Sequence, residues 1–477
     1  MRSLEMKVLG FSLVFFFFVN SPAGIAKEKN GLEQTYEIEA IQIADQIWKY
    51  AELGYLEKKS SKLLQDFLLD QNFNVRAGVD GIDTAFIATA GSGSPTIAIL
   101  AEFDALPGLS QKALPHREPL ESGGSGHACG HHLFGAASAA AGARLSDWMR
   151  ESGVNGTVKV IGTPAEEGGS GKVYLARAGV FNDVDLVLHW HPSDVNSASP
   201  YTTTANKSGR FTFKGKAAHA ASAPHRGRSA LDGVEAMNYL VNLMREHIPQ
   251  ESRIHYVITR GGDAPNIVPE LAQVYYYVRH PKKTKVIELF ERVVNAARAA
   301  AMGTETTVGF EVMHGNFPVL PNYTISKVVD KNLRALGGVK YGPEEQQFAE
   351  SIAGSFIEGS RLIGSQETIQ PYRFRQSMGS TDVGDVSWLV PTAGFTTATW
   401  VPGTPGHSWQ AVAAGGMSIG HRGMVLAKEL LFETGKELFL NDKLINQAKE
   451  ELHQARGSDF KYEPLLGDRK PPLDYRK

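Results

Sequence analysis

Four short apolar runs constrain this chain most: TAFIATA (84–90), TIAILAEF (96–103), TVKVIGTPA (157–165) and DLVLHW (185–190). Each is nearly continuous and bounded by turn residues, the pattern of a strand buried on both faces. Between them lies LFGAASAAAGARLSDWMR (133–150), an alanine-rich helix whose small side chains allow close packing on a sheet. Helical spacing also covers 36–53, stopping at Gly54, and about 58–71. Strands alternating with helices predict an α/β domain with a largely parallel sheet.

The pattern changes near residue 205. RFTFKGKAAH predicts a strand, 228–248 an amphipathic helix, 271–279 a strand, 285–302 a helix, and about 305–313 another strand. That order predicts a small α/β sandwich at 205–316, inserted into a main domain made of 27–204 and 317–455. A helix is expected at 416–434, and the charged, proline-containing segment 456–477 is expected to be a loose surface tail.

The N-terminus differs in kind. A short basic start, an apolar run from Val8 to Val19 and small residues up to Ala26 form the tripartite pattern of a secretory signal, residues 1–26. The run is shorter than the roughly 20 residues of a membrane-spanning helix. The expectation is an exported enzyme without stable membrane association, an uncleaved anchor being the alternative. A formal charge of −2 lacks the basic excess of a nucleic-acid binder. A single cysteine rules out an intramolecular disulfide.

That cysteine sits in HACGHH (127–132), a dense set of metal donors. The Cys129-Gly130-His131 turn presents a thiolate and an imidazole two positions apart, a combination suited to zinc, while mixed imidazole and carboxylate sites also accept manganese. A nucleophilic cysteine beside a histidine is the competing reading. Glu166 and Glu167 interrupt a buried-strand pattern inside a glycine-rich turn, so one can ligate metal while the other moves a proton. His189 and His191 end another apolar run, and His407 comes from far along the chain. Asp104 is a candidate for orienting a ligating imidazole, or a simple strand-end cap. Together these residues supply ligands for two metal ions and a separate glutamate base, a set suited to amide hydrolysis.

The ordered strings EFDALPG (102–108), GHACGHHLFG (126–135), GTPAEEGG (162–169), LHWHP (188–192), FKGKAAHAASAPHRGRSALD (213–232), NIVP (266–269), GSTDVGDVSW (379–388) and GHSWQ (406–410) span nearly the whole chain after the signal. This set resembles the co-catalytic metallopeptidase family that includes aminoacylases, glutamate carboxypeptidases and hippurate hydrolases. The resemblance implies an amidohydrolase with two divalent ions per subunit, Zn or Mn. Its substrate would be an N-acyl or N-aroyl amino acid, such as p-aminobenzoyl-glutamate, or a dipeptide-like amide. Cys129 would bridge both metals, where other members have aspartate. His131 would bind one with His191, which matches the WHP of one branch, or with His189, which matches more distant members. Glu167 and His407 would bind the other, Glu166 would be the base that activates the bridging water, and Asp104 would support His131. The inserted domain would be a lid and dimerisation domain, with a homodimer in which His219 reaches the partner subunit's site. Asn266 and Arg279 would recognise the substrate carboxylate. His132 departs from the aspartate or asparagine of many relatives, and His127 has no assigned role. A cysteine-dependent hydrolase using Cys129, or a relative that binds metal or ligand without turnover, are the alternatives.

Overall fold

The computed structural model describes residues 31–357 and 360–476, so the signal expected at 1–26 lies outside the described residues. Its strands are β1 (Asn74–Val79), β2 (Ile82–Ser92), β3 (Thr96–Ala101), β4 (Gly156–Gly162), β5 (Leu186–Ser193) and β6 (Tyr201–Thr202). They continue with β7 (Ala205–Lys214), β8 (Arg253–Arg260), β9 (Leu271–His280), β10 (Thr307–Asn316), β11 (Arg375–Gln376) and β12 (Thr392–Ala398).

The larger sheet has the order β1-β2-β4-β3-β5-β12. β4, β3, β5 and β12 run parallel, while β2 runs against both its neighbours. The four apolar runs fall on β2 to β5. β4 is buried at every position, as expected of a strand covered on both faces. The helix His131–Ser152 packs against this sheet. Its alanines let the backbones approach so closely that a Cβ on Gly142 would lie 2.3 Å from the Val160 side chain. That contact explains why the run is built from small residues.

The smaller sheet, β10-β7-β9-β8, is antiparallel. Along β9 buried and half-buried residues alternate strictly, and Ala272, Val274, Tyr276 and Val278 face the helices Ala230–Met244 and Lys283–Gly303. β8 escapes a search for buried runs because it is an edge strand with almost every residue exposed. β12 escapes it because TAGFTTA mixes small and polar residues. Further helices, Tyr323–Leu336, Pro343–Ala353 and Asp442–Arg456, complete the second part of the main lobe.

The segment after Arg456 departs from its expectation as a loose tail. Leu465 and Leu466 are buried, and the Tyr462 hydroxyl donates to Asp385 at 2.8 Å. Arg469 pairs with Glu311 of β10 at 2.8 Å, and Arg177 donates to the carbonyls of Gly467 and Arg469. A few apolar anchors and backbone acceptors tie down a strap whose average composition is polar.

Candidate metal centre

The chemistry-bearing loops leave the C-terminal ends of the parallel strands, where open α/β sheets place their sites. β3 delivers Glu102 and Asp104, β4 delivers Glu166 and Glu167, and His191 lies within β5. Cys129 and His131 enter at the start of the helix His131–Ser152. Gly130 between them has φ 76°, and a Cβ there would meet Pro192 at 2.6 Å, so this turn requires glycine.

Three overlapping groups result: Cys129, His131 and His191; Cys129, Glu167 and His407; and His131, Glu166 and Glu167. Within each group the donor atoms lie within 4.8 Å of one another. Cys129 Sγ is 3.3 Å from His191 Nε2, and His407 Nε2 is 3.1 Å from Glu167 Oε1. The thiol stands between the two halves of the cluster.

Neighbouring groups fix the ligand orientations. His191 Nδ1 lies 2.7 Å from the Pro192 carbonyl, an acceptor that places the proton on Nδ1 and turns Nε2 to Cys129. His131 Nδ1 lies 2.9 Å from Asp104 Oδ1, while Asp104 Oδ2 accepts the N–H of Glu167 at 2.9 Å. His131 Nε2 and Glu167 Oε1 are buried and complete no hydrogen bond. Those two unsatisfied atoms, set beside the Cys129 thiol and the His191 and His407 imidazoles, make the mixed donor set that a divalent cation requires, so the residues fit metal. Burial first, and then the Glu167 carboxylate, pushes the Cys129 thiol up. Burial and Glu167 also push the Glu166 carboxyl up.

The other sequence candidates sort clearly. His189 is buried outside the cluster, its ring against Gly394, where a Cβ would lie 2.2 Å from Nε2. His127 and His132 are structural. Their ring centroids lie 4.9 Å apart with the planes tilted by 47°, and their Nε2 atoms lie 3.0 Å from the carbonyls of Ile47 and Gly415. Burial pushes His127 down to about 3, which keeps it neutral. His219 and Asn266 are exposed neighbours on the smaller lobe, where Ala220 N–H donates to the Asn266 carbonyl at 3.0 Å. Within this one chain they are not brought to the cluster. Arg279 donates to Ser380 Oγ at 3.2 Å across the two lobes, and its Nε is buried without a partner.

Several residues were missed. Glu102 Oε2 lies 3.1 Å from His131 Nε2, and Glu102 Oε1 pairs with the fully buried Lys172 at 2.7 Å. Lys172 also pairs with Asp382 at 2.7 Å. Burial works against the Lys172 charge, but Asp382 and Glu102 outweigh it and hold the amine above its ordinary value. Glu102 and Asp382 lie inside motif strings already quoted, whereas a lysine in a short apolar helix carried a weak signal. Glu57, which accepts the Ala165 N–H at 2.8 Å, carried none. Nor did Tyr475 and Arg476, which donate to the Glu167 carbonyl at 3.0 and 2.7 Å.

The mixed sheet, the second lobe and the thiol-centred cluster define a metal-dependent hydrolase with a dimerisation-type insertion. Residues 201–305 match the peptidase dimerisation domain. The B subunit of p-aminobenzoyl-glutamate hydrolase from Escherichia coli is 39% identical over 440 residues, 87% of this chain and 92% of that protein. Xaa-Arg dipeptidase from Mus musculus is 32% identical over 358 residues, 72% of this chain and 73% of that protein. A Bacillus subtilis dinuclear metal binding peptidase of the M20 family shares the fold, with TM-score 0.56 and 18% identity over 85% of this chain and 99% of that one. The aminobenzoyl-glutamate utilization protein of Klebsiella pneumoniae also gives 0.56, at 19% identity over 84% and 96%. The chain belongs to the M20 family and is a metal-dependent amidohydrolase of acyl amino acids.

Proposed function

We propose that the chain cleaves the amide of an N-acyl or N-aroyl amino acid, p-aminobenzoyl-glutamate or a dipeptide-like amide among them. It does so as an exported homodimer with two zinc or manganese ions per subunit. The observation that carries this reading is the convergence of Cys129, His131, Glu167, His191 and His407, with Glu166 in the same cluster. Cys129 is shared by two ligand sets, His131 with His191 and Glu167 with His407. Cations held there would supply Lewis-acid polarisation of the scissile carbonyl and a lowered water pKa.

The chain's own residues do the rest. Glu166 takes a proton from the attacking water and returns it to the leaving nitrogen; its raised carboxyl suits both transfers. Asp104 keeps the proton of His131 on Nδ1. Asn266 and Arg279 hold the substrate carboxylate, and His219 steadies the oxyanion in the second subunit's site. The exposure of His219 supports a role in trans, and the matched dimerisation domain supports the homodimer. Export rests on the signal pattern of residues 1–26. Activity that survived chelation but not thiol alkylation would favour the cysteine-nucleophile reading instead.

Glu166→Gln is the direct test. It should lower kcat by roughly 10²–10⁴-fold on a panel of N-aroyl amino acids, with bound metal retained by elemental analysis. Near-wild-type turnover would refute the assignment.

A further inference from the structure

A cavity of ≈ 370 Å³ has His191 of the cluster and Arg375 in its wall. Ser197, Ser199, Tyr201 and Thr396 line it as well, and none of its lining residues is acidic. The short parallel pair of β6 and β11 sets Arg375 opposite Tyr201. Backbone bonds from Arg375 N–H to the Pro200 carbonyl (2.9 Å) and from Ser377 N–H to the Thr202 carbonyl (2.8 Å) fix that register. Burial first, then the Glu102 and Glu166 carboxylates, pushes the Tyr201 phenol up.

The Arg375 guanidinium is half-buried and has no hydrogen bond or ion pair with any described residue. Its charged neighbours are Arg361 and Arg373. The nearby Asp194 carboxylate is paired with Arg361 at 2.7 Å and not with Arg375. A partly desolvated cation in a preformed cavity is stabilised by an anion, and a guanidinium fork matches a carboxylate.

We propose that Arg375 is a specificity-determining residue, holding a side-chain carboxylate of the substrate so that amides of acidic amino acids are selected over neutral ones. This rests on the amidohydrolase reading and deepens it, because Asn266 and Arg279 on the other lobe serve the α-carboxylate. The pocket rejects a neutral isostere by leaving the arginine unpaired.

The test compares kcat/KM for N-aroyl-glutamate and N-aroyl-glutamine on metal-loaded wild type, Arg375→Met and Arg375→Lys. Calorimetric binding of free glutamate and glutamine is measured on the same samples, with metal content and melting temperature as controls. Wild type should prefer the glutamate amide by roughly 10–100-fold. Arg375→Met should bring that ratio to within about threefold, mainly through KM, and Arg375→Lys should restore part of it. An Arg375→Met enzyme that keeps the wild-type ratio, or a wild type that takes both amides equally, overturns the pocket assignment and leaves the hydrolase reading standing. If loaded wild type cleaves no aroyl amino acid yet binds glutamate in an Arg375-dependent way, the hydrolase reading fails and the anion pocket stands. Loss of both turnover and binding overturns both.

Discussion

Asp104 shows how much one carboxylate organises. Its two oxygens hold His131 Nδ1 and the Glu167 N–H, so one side chain sets a candidate ligand from each half of the cluster. Asparagine keeps the shape but must turn its amide nitrogen toward one of these two donors. Asp104→Asn should weaken metal binding by about 10–100-fold with unchanged circular dichroism, measured by competition with a chromophoric chelator. Unaltered affinity would show that the contact is incidental. At this scale the sequence was partly legible: HACGHH advertised its donors, yet four candidates look alike in one dimension. Cys129 and His131 joined the cluster because Gly130 turns the chain there, whereas His127 and His132 point to backbone carbonyls.

Among the elements, the turn after β4 is strained at both ends. Ala165 and Ser170 are left-handed without being glycine, at φ 57° and 61°, on either side of the glutamate pair. The turn is held from outside itself. Glu57 accepts from Ala165 N–H, Tyr55 donates to the Gly169 carbonyl at 2.7 Å, and Tyr475 and Arg476 donate to the Glu167 carbonyl. A chain truncated after Asp468 should therefore lose metal roughly tenfold more readily on dialysis against graded chelator. Retention equal to that of the full chain would count against the strap as a support for the ligand turn. The same strap reaches Asp385, whose carboxylate accepts from Phe317 N–H and Tyr462, both at 2.8 Å. Burial pushes Asp385 from 3.8 up to about 7. A raised carboxyl favours folding while protonated, so its contribution is complete below pH 4 and lost as pH rises through about 7. Asp385→Asn stays neutral and should flatten the fall in melting temperature between pH 4 and 7. Parallel profiles for the two proteins would sink this account.

For the whole molecule, the question is what covers the edge strand β8. Tyr256, Val257 and Ile258 are exposed on it, an arrangement that monomers avoid because an open edge invites pairing. If the proposed homodimer pairs through this edge, Val257→Lys should shift it to a monomer in sedimentation velocity, with activity lost in step if His219 works in trans. A fully active monomer at nanomolar concentration would contradict that role. Read alone, the sequence determined the local periods, the α/β class, the inserted unit and the ordered ligand strings, because these depend on neighbours along the chain. Only the tertiary structure decided that His191 rather than His189 faces Cys129, that Glu102 and Lys172 back the cluster, and that the polar tail straps the ligand turn. Those outcomes depend on which face of a strand meets which loop, and on contacts such as Glu167 with Tyr475 that span 308 residues. Local sequence pattern does not encode contacts at that separation, because packing and the burial of polar groups settle them together.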